Sequence, residues 1–247
     1  MEPHKVVSQQ EWMEAQKAHL VKEKEYTRHR DRLNAERQAL PWTRVEKDYV
    51  FDTPQGKKTL AELFAGRSQL IVNHFMFGPD WEAGCVGCSF GADHIDGANQ
   101  HLKQHDVTLV AVSRAPLSKI EAYKKRMGWK FDWVSSFGSD FNFDFGVSFR
   151  KEDIANGKAI YNHAPMTFEM DEMPGLSVFY KDEDGNIYRT FSQYARGDED
   201  KISTYAILDR TPKGRDEKSA MDWVKRHDEY PDEDKNIAAM LTSSCCG

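Results

Sequence analysis

The chain has 247 residues, 39% of them hydrophobic, which is long and apolar enough for one large domain with extensions. Its 34 Lys and Arg against 40 Asp and Glu leave a net charge of −6, so no basic field favours nucleic acid or an anionic membrane. No window approaches the roughly 20 apolar residues of a membrane span, and "MEPHKVVSQQEW" lacks a signal-peptide core, so a soluble, cytoplasmic protein without cofactor is expected.

Residues 8 to 40 contain no Gly or Pro and are rich in Glu, Lys, Arg, Gln and Ala, which predicts one long helix ending near Pro41. Its larger apolar residues, Met13, Leu20, Tyr26, Leu33 and Leu40, recur every six or seven positions and form only a thin stripe. The pattern fits an arm docked by one face, or a homodimerisation arm. The expected division is therefore an arm over 1–44, a central domain over 45–210 and a polar C-terminal extension over 211–247.

Next come a hairpin turning at Thr53-Pro54-Gln55-Gly56, a short helix at 59–64 and an apolar strand at 69–77 that lacks strict alternation, as in a strand covered on both faces. A helix at about 86–104, a strand at 107–113 and a helix at 116–128, with Ile120, Tyr123 and Met127 on one face, complete strand-helix units expected to form a parallel pair. Trp129, Phe131 and Trp133 alternate as in a strand, and five phenylalanines follow, suiting a core or a subunit interface. The stretch 150–166 reads as an insertion loop. Strands at 176–181 and 186–192 flank Asp184-Gly185 in an antiparallel hairpin, and beyond Tyr205 a short helix or two precede a loose end.

The four cysteines form two tight pairs, Cys85/Cys88 and Cys245/Cys246, unlike the dispersed framework of a secreted disulfide-stapled domain. The order strand, loop, Cys85, helix puts Cys85 at a helix N-terminus, where unpaired amides lower a thiol's pKa. Cys88 lies nearly one turn on, within reach of a mixed disulfide formed on Cys85. Zinc is the competing use of a CxxC pair, but the adjacent Cys245-Cys246 would chelate one tetrahedral ion poorly, and His94 would lie about 180° round the helix from Cys85. A third use is structural, with both cysteines as small core residues of a non-catalytic dimerising module. Pro174, just before a strand that ends in a hairpin, leads to the expectation of a cis Met173–Pro174 bond offering its backbone to an incoming chain.

Together these features resemble the thioredoxin fold, particularly its peroxiredoxin-like elaborations with an insertion before the proline strand. The stretches "HFMFGPDWEAGCVGCSFGADHIDG", "VTLVAVSRAPLSKIEAYKKRMGWKFDWVSSFGSDFNFDFGVSF", "PGLSVFY", "TFSQYARG" and "LDRTPKGR" resemble one bacterial thioredoxin-like family, long filed as domain-of-unknown-function family 899 and called predicted dithiol-disulfide isomerases. The resemblance implies an α/β domain with a central mixed sheet flanked by helices. It also implies a thiol-disulfide oxidoreductase with Cys85 and Cys88 as catalytic residues and Trp81, Met173 and Pro174 against substrate, acting on a protein or small-molecule disulfide or thiol with an electron-donor protein. The sequence departs from thioredoxin at Gly84, where a Trp is usual, and at Val86-Gly87 between the cysteines. A buried carboxylate has no clean match: the strand offers Asn73-His74, and Asp80 and Glu82 lie in the loop. Thiol peroxidase is the second reading, because Glu82 stands where a Thr or Ser is expected and Arg114, Arg126 and Arg196 are all distant in sequence. Cys245-Cys246 fits an unordered tail, or a tail dithiol that ferries electrons.

Overall fold

A computed structural model of the chain describes residues 4–167 and 169–231. Cys245 and Cys246 lie outside the described residues. The chain divides into two compact units, Met1–Thr43 and Arg44–Gly247. The first is dominated by helix α1 (Gln9–Gln38), which starts at a capping box: Glu11 N donates to Ser8 Oγ at 3.3 Å, and Ser8 N donates to the Glu11 carboxylate at 3.0 Å. No residue of α1 is buried, and Met13, Leu20, Tyr26 and Leu33 are all exposed.

The second unit is a three-layer α/β domain. Its strands are β1 (Val50–Thr53), β2 (Gly56–Thr59), β3 (Gln69–His74), β4 (Val107–Ser113), β5 (Asp132–Ser135), β6 (Gly175–Lys181) and β7 (Ile187–Tyr194). They lie in the order β7-β6-β3-β4-β5-β1-β2. Strands β3, β4 and β5 are mutually parallel, whereas β6 runs antiparallel to both β3 and β7, and β1 runs antiparallel to β2 and β5. Helix α2 (Leu60–Leu63) follows β2; between β3 and β4 lie α3 (Val86–Ala92) and α4 (Ile95–Leu102), and α5 (Leu117–Met127) joins β4 to β5. Two parallel strands joined through helices, with an antiparallel hairpin beside the first of them, make this a thioredoxin-like fold.

Period-two alternation assigns the two sheet faces. Leu70, Val72, Val110, Val112 and Val134 pack with Phe51, Phe64, Phe141, Phe145 and Phe179. Ala111 and Trp133 belong to the other cluster, with Phe75, Phe77, Ile95, Ile120, Tyr123, Met127, Trp129 and Phe131. Most of the aromatic density at 129–149 is therefore core, although Phe137 is exposed.

Three expectations need correction. The helix expected at 86–104 is two helices. His94 N turns to Gly91 O, and the His94 ring takes the Phe90 carbonyl at 2.8 Å, removing the acceptor on which the helix would have continued. The stretch 150–166 is more ordered than a loop. It holds helix Lys151–Ala155 and a ribbon pairing Ile160–Tyr161 with Ala164–Pro165, with Ala159 and Tyr161 packed against Val147, Phe149 and Tyr194. Finally, the Met173–Pro174 bond is trans, as is every other peptide bond among the described residues. The proline amide weakens the trans preference without reversing it. Here Met173 N donates to Val147 O at 2.8 Å and Tyr161 Oη donates to Pro174 O at 2.7 Å, which fixes the approach to β6 in trans. No described helix is long and apolar enough to cross a membrane.

Candidate functional site

The site lies at the carboxyl end of β3, where α/β sheets commonly hold their ligands. After His74 the chain runs through Phe75 and Phe77, whose backbones still bond to Val112 and Ala115, and turns at Gly78-Pro79. It then returns so that Cys85 N donates to Met76 O at 3.0 Å. Cys85 is the N-cap of α3. The register of β6 on β3 pairs Gly175 with His74, which sets Pro174 at the same end of the sheet, 86 positions beyond Cys88. Pro174, Cys85 and Cys88 line one cavity of about 150 Å³ with Asn73, Met76, Lys201, Ile202 and Met221.

The two thiols are unbridged and half-buried. The Cys88 amide approaches Cys85 Sγ at 3.5 Å. Cys85 is lowered to about 6, first because the Cys88 thiol donates to its sulfur, then through the amides of Cys88 and Gly87 and the charge of Arg226, with burial opposing. Cys88 is pushed up well above the ordinary thiol value by the same hydrogen bond, by burial and by the Cys85 charge. The pair thus shares one proton at neutral pH, with the charge favoured on Cys85, where the Cys88 and Gly87 amides lie.

Residues far downstream complete the site. Arg226 donates to Gly84 O at 2.7 Å and to Tyr123 Oη at 2.8 Å, placing a guanidinium beside the residue that precedes Cys85. Lys201 Nζ donates to Asn73 Oδ1 at 2.6 Å and pairs with Asp198. His74 is fully buried against Phe141 and Phe145, and burial holds it neutral, with its pKa lowered to about 3. Its Nε2 meets Ser177 Oγ at 2.9 Å, whereas Nδ1 has no partner among the described residues.

The glycines around the thiols have steric causes. A Cβ on Gly84 would lie 2.6 Å from Phe75 Cε1 and 2.9 Å from Tyr123 Cε1, so two packed rings occupy the space that a larger residue before Cys85 would need. A Cβ on Gly87 would lie 2.8 Å from Met221 Sδ.

The other sequence candidates lie elsewhere. Trp81 stacks over Gly78 and packs into the α5-side core, and Met173 packs with the insertion; neither lines the cavity. Asp80 and Glu82 are exposed. Arg114 pairs with Glu172, Arg126 with Asp228 and Glu229, and Arg196 with Glu199. His94 bonds Thr204 at 2.9 Å. No group of three or more His, Cys, Asp or Glu side chains converges as a metal site among the described residues. Arg226, Met221 and Lys201 carried no sequence signal, because each lies more than 110 positions from Cys88 and reaches the site only through the fold.

None of the curated proteins compared matches the chain. Among solved structures it is similar to a Xylella fastidiosa PrxQ mutant at 13% identity and TM-score 0.42, covering 64% of this chain and 88% of that one. It is similar to the peroxidoxin BcpB of Mycobacterium tuberculosis at 13% identity and TM-score 0.42, covering 68% and 97%. A Bacteroides thetaiotaomicron protein described as a candidate protein disulfide isomerase has 16% identity and TM-score 0.37, covering 72% and 92%. At these values the likenesses carry no argument about activity. The chain matches a family model over residues 1–230 and belongs to that family, described as bacterial protein of unknown function (DUF899).

Proposed function

We propose that the protein is a thiol-disulfide oxidoreductase in which Cys85 attacks and Cys88 resolves. The observation that carries this reading is the placement of Cys85 as the N-cap of α3, its sulfur 3.5 Å from the Cys88 amide and in one cavity with Cys88 and Pro174, a geometry that lowers the Cys85 pKa and raises that of Cys88. Disulfide exchange needs a thiolate to attack, and a second thiol that stays protonated until the mixed disulfide exists. In the proposed first step the Cys85 thiolate attacks one sulfur of a substrate disulfide. The S–S bond breaks, a mixed disulfide forms on Cys85, and the other half departs as a thiolate. Once Cys85 carries no charge, the Cys88 proton is released to the departing group. The Cys88 thiolate then attacks Cys85 Sγ, closing the Cys85–Cys88 bond and expelling the second half as a thiolate, which takes its proton from water. The substrate gains two electrons, and a reducing dithiol protein must return them to the enzyme. Pro174 borders the path of the incoming sulfur. The exposed apolar residues of α1 suit the homodimerisation arm, the alternative to a docked one.

The pH dependence follows directly. A thiol with a pKa near 6 is about nine-tenths thiolate at pH 7, whereas an ordinary one near 8.5 is a few per cent. Alkylation by iodoacetamide, followed residue by residue by peptide mass spectrometry, is expected to label Cys85 with an apparent pKa of about 6 and to leave Cys88 nearly untouched there. Equal rates at both cysteines, rising together near the ordinary thiol pKa, would sink the assignment of attacker and resolver.

A further inference from the structure

We propose that this dithiol serves slim, low-molecular-weight disulfides with apolar arms, and that the segment 217–229 excludes protein disulfides from it. The inference rests on the exchange chemistry proposed above and adds the class of substrate.

The segment is fastened on both sides of the thiols. On one side the Glu217 carboxylate gathers three donors: Tyr205 Oη at 2.7 Å, Trp223 Nε1 at 3.1 Å and Met221 N at 3.2 Å. Those bonds hold Met221 in a left-handed backbone conformation, φ +63°, which a non-glycine residue adopts only when its surroundings enforce it. They also set its sulfur against Gly87, between the two cysteines. On the other side Arg226 grips Gly84 O and Tyr123 Oη, while Arg126 from α5 grips Asp228 and Glu229. The aromatic and aliphatic contacts of Phe90, Ile202, Tyr205, Trp223 and Val224 fill the space beneath. Val86, Gly87 and Cys88 are thus bordered by packed side chains where a thiol exchanging with proteins would offer an open groove.

The remaining space is small. The cavity at the thiols measures about 150 Å³. A pocket for a drug-sized ligand is commonly about 300–1,000 Å³, and an extended peptide needs about 4.8 Å on each side for its own backbone. Met76, Pro174, Ile202 and Met221 supply the apolar lining; the charged groups there are already paired, Lys201 with Asn73 and Asp198, and Glu199 with Arg196 and Arg215. Charged arms would find no free partner there, whereas short aliphatic arms fit. For R–S–S–R the balance is that of the exchange above: the dithiol is oxidised to the Cys85–Cys88 disulfide, and two R–SH are released.

The test is single-turnover oxidation of the reduced full-length protein, read by quenched alkylation and mass spectrometry. Diethyl disulfide represents the slim apolar class and insulin the protein class; hydroxyl-free arms keep the probe within the class proposed. The wild type is expected to be oxidised at least about tenfold faster by diethyl disulfide. Met221→Ala is expected to narrow that ratio by about fivefold, while Met221→Leu, similar in volume, keeps it. A wild type oxidised as fast by insulin, or a ratio that Met221→Ala leaves unchanged while the variant remains folded by circular dichroism, overturns the inference. Equal oxidation by both would leave the exchange reading standing and remove only the exclusion of proteins. Oxidation by neither would remove both. Reaction of Cys85 with N-ethylmaleimide and with fluorescein maleimide reads access without turnover; equal rates for the two would also overturn it.

Discussion

Replacing Cys85 by serine is expected to lower disulfide reduction by at least about a thousandfold, because a hydroxyl at neutral pH supplies essentially none of the anion that thiol-disulfide exchange requires. Cys88→Ser is expected to behave differently. Its Cys85 thiolate still attacks, but the mixed disulfide cannot be resolved within the protein, so the substrate half accumulates on Cys85 in a one-to-one adduct seen by intact mass. The hydrogen bond from the Cys88 thiol is the largest cause of the low Cys85 pKa, and a serine hydroxyl still donates there, so it is Cys88→Ala, which has no donor, that should attack more slowly below pH 7 than the wild type does. Retained turnover in Cys85→Ser would place the chemistry elsewhere in the chain. Two variants that fail in the same way would contradict separate roles for the two thiols.

The second large effect is on stability. Glu172 lies two residues before Pro174, with only 2% of its side chain exposed, and its two oxygens accept from Arg114 at 2.7 Å and Ser148 Oγ at 2.7 Å. These bonds tie the approach to β6, and so Pro174, to the end of β4 and to the insertion. Burial raises the Glu172 pKa from 4.5 to about 7 in spite of Arg114. Removing the guanidinium strands a buried carboxyl, and Arg114→Ala is expected to cost about 3 kcal/mol, as for other broken buried pairs. The sign with pH follows from linkage. A carboxyl whose folded pKa lies above its unfolded one favours the folded state most below the unfolded value, and that contribution is lost as pH rises through the folded value. The loss in Arg114→Ala should therefore be larger at pH 8 than at pH 5, and Arg114→Ala/Glu172→Gln should recover part of it. Urea unfolding at the two pH values checks this; an equal, small loss at both would show that the pair contributes little.

What could be read from the sequence was what is local or periodic. Strand 107–113 and the helix carrying Ile120, Tyr123 and Met127 follow from apolar spacing alone, and the hairpin around Gly185 follows from turn chemistry, since that glycine has φ +85°. The approach of Pro174 to the thiols was implied by the resemblance to the thioredoxin fold and not by any spacing; in the structure it follows because β6 runs antiparallel to β3 and so begins where β3 ends. The helix break at His94 was not, because it depends on a ring taking a backbone carbonyl and on Thr204, 110 positions away. Trp81 was a plausible substrate contact by proximity in sequence, but the Gly78 turn folds its indole onto the core. Met221 and Arg226 sit in a stretch whose composition reads as polar tail, and nothing in their spacing shows that they close over Cys85. The glycine before Cys85, a departure from thioredoxin in the sequence, follows in the structure from the rings of Phe75 and Tyr123.

The most direct test of the central claim, reversible two-electron exchange at Cys85 and Cys88, is a redox titration of the full-length protein in glutathione buffers, quenched by alkylation and read by peptide mass spectrometry. One reversible transition is predicted, in which both thiols disappear together into an intramolecular Cys85–Cys88 disulfide, with a midpoint that a Nernst curve for two electrons fits. The absence of that disulfide at every buffer ratio, with both cysteines remaining alkylatable or bearing only separate glutathione adducts, would contradict the account.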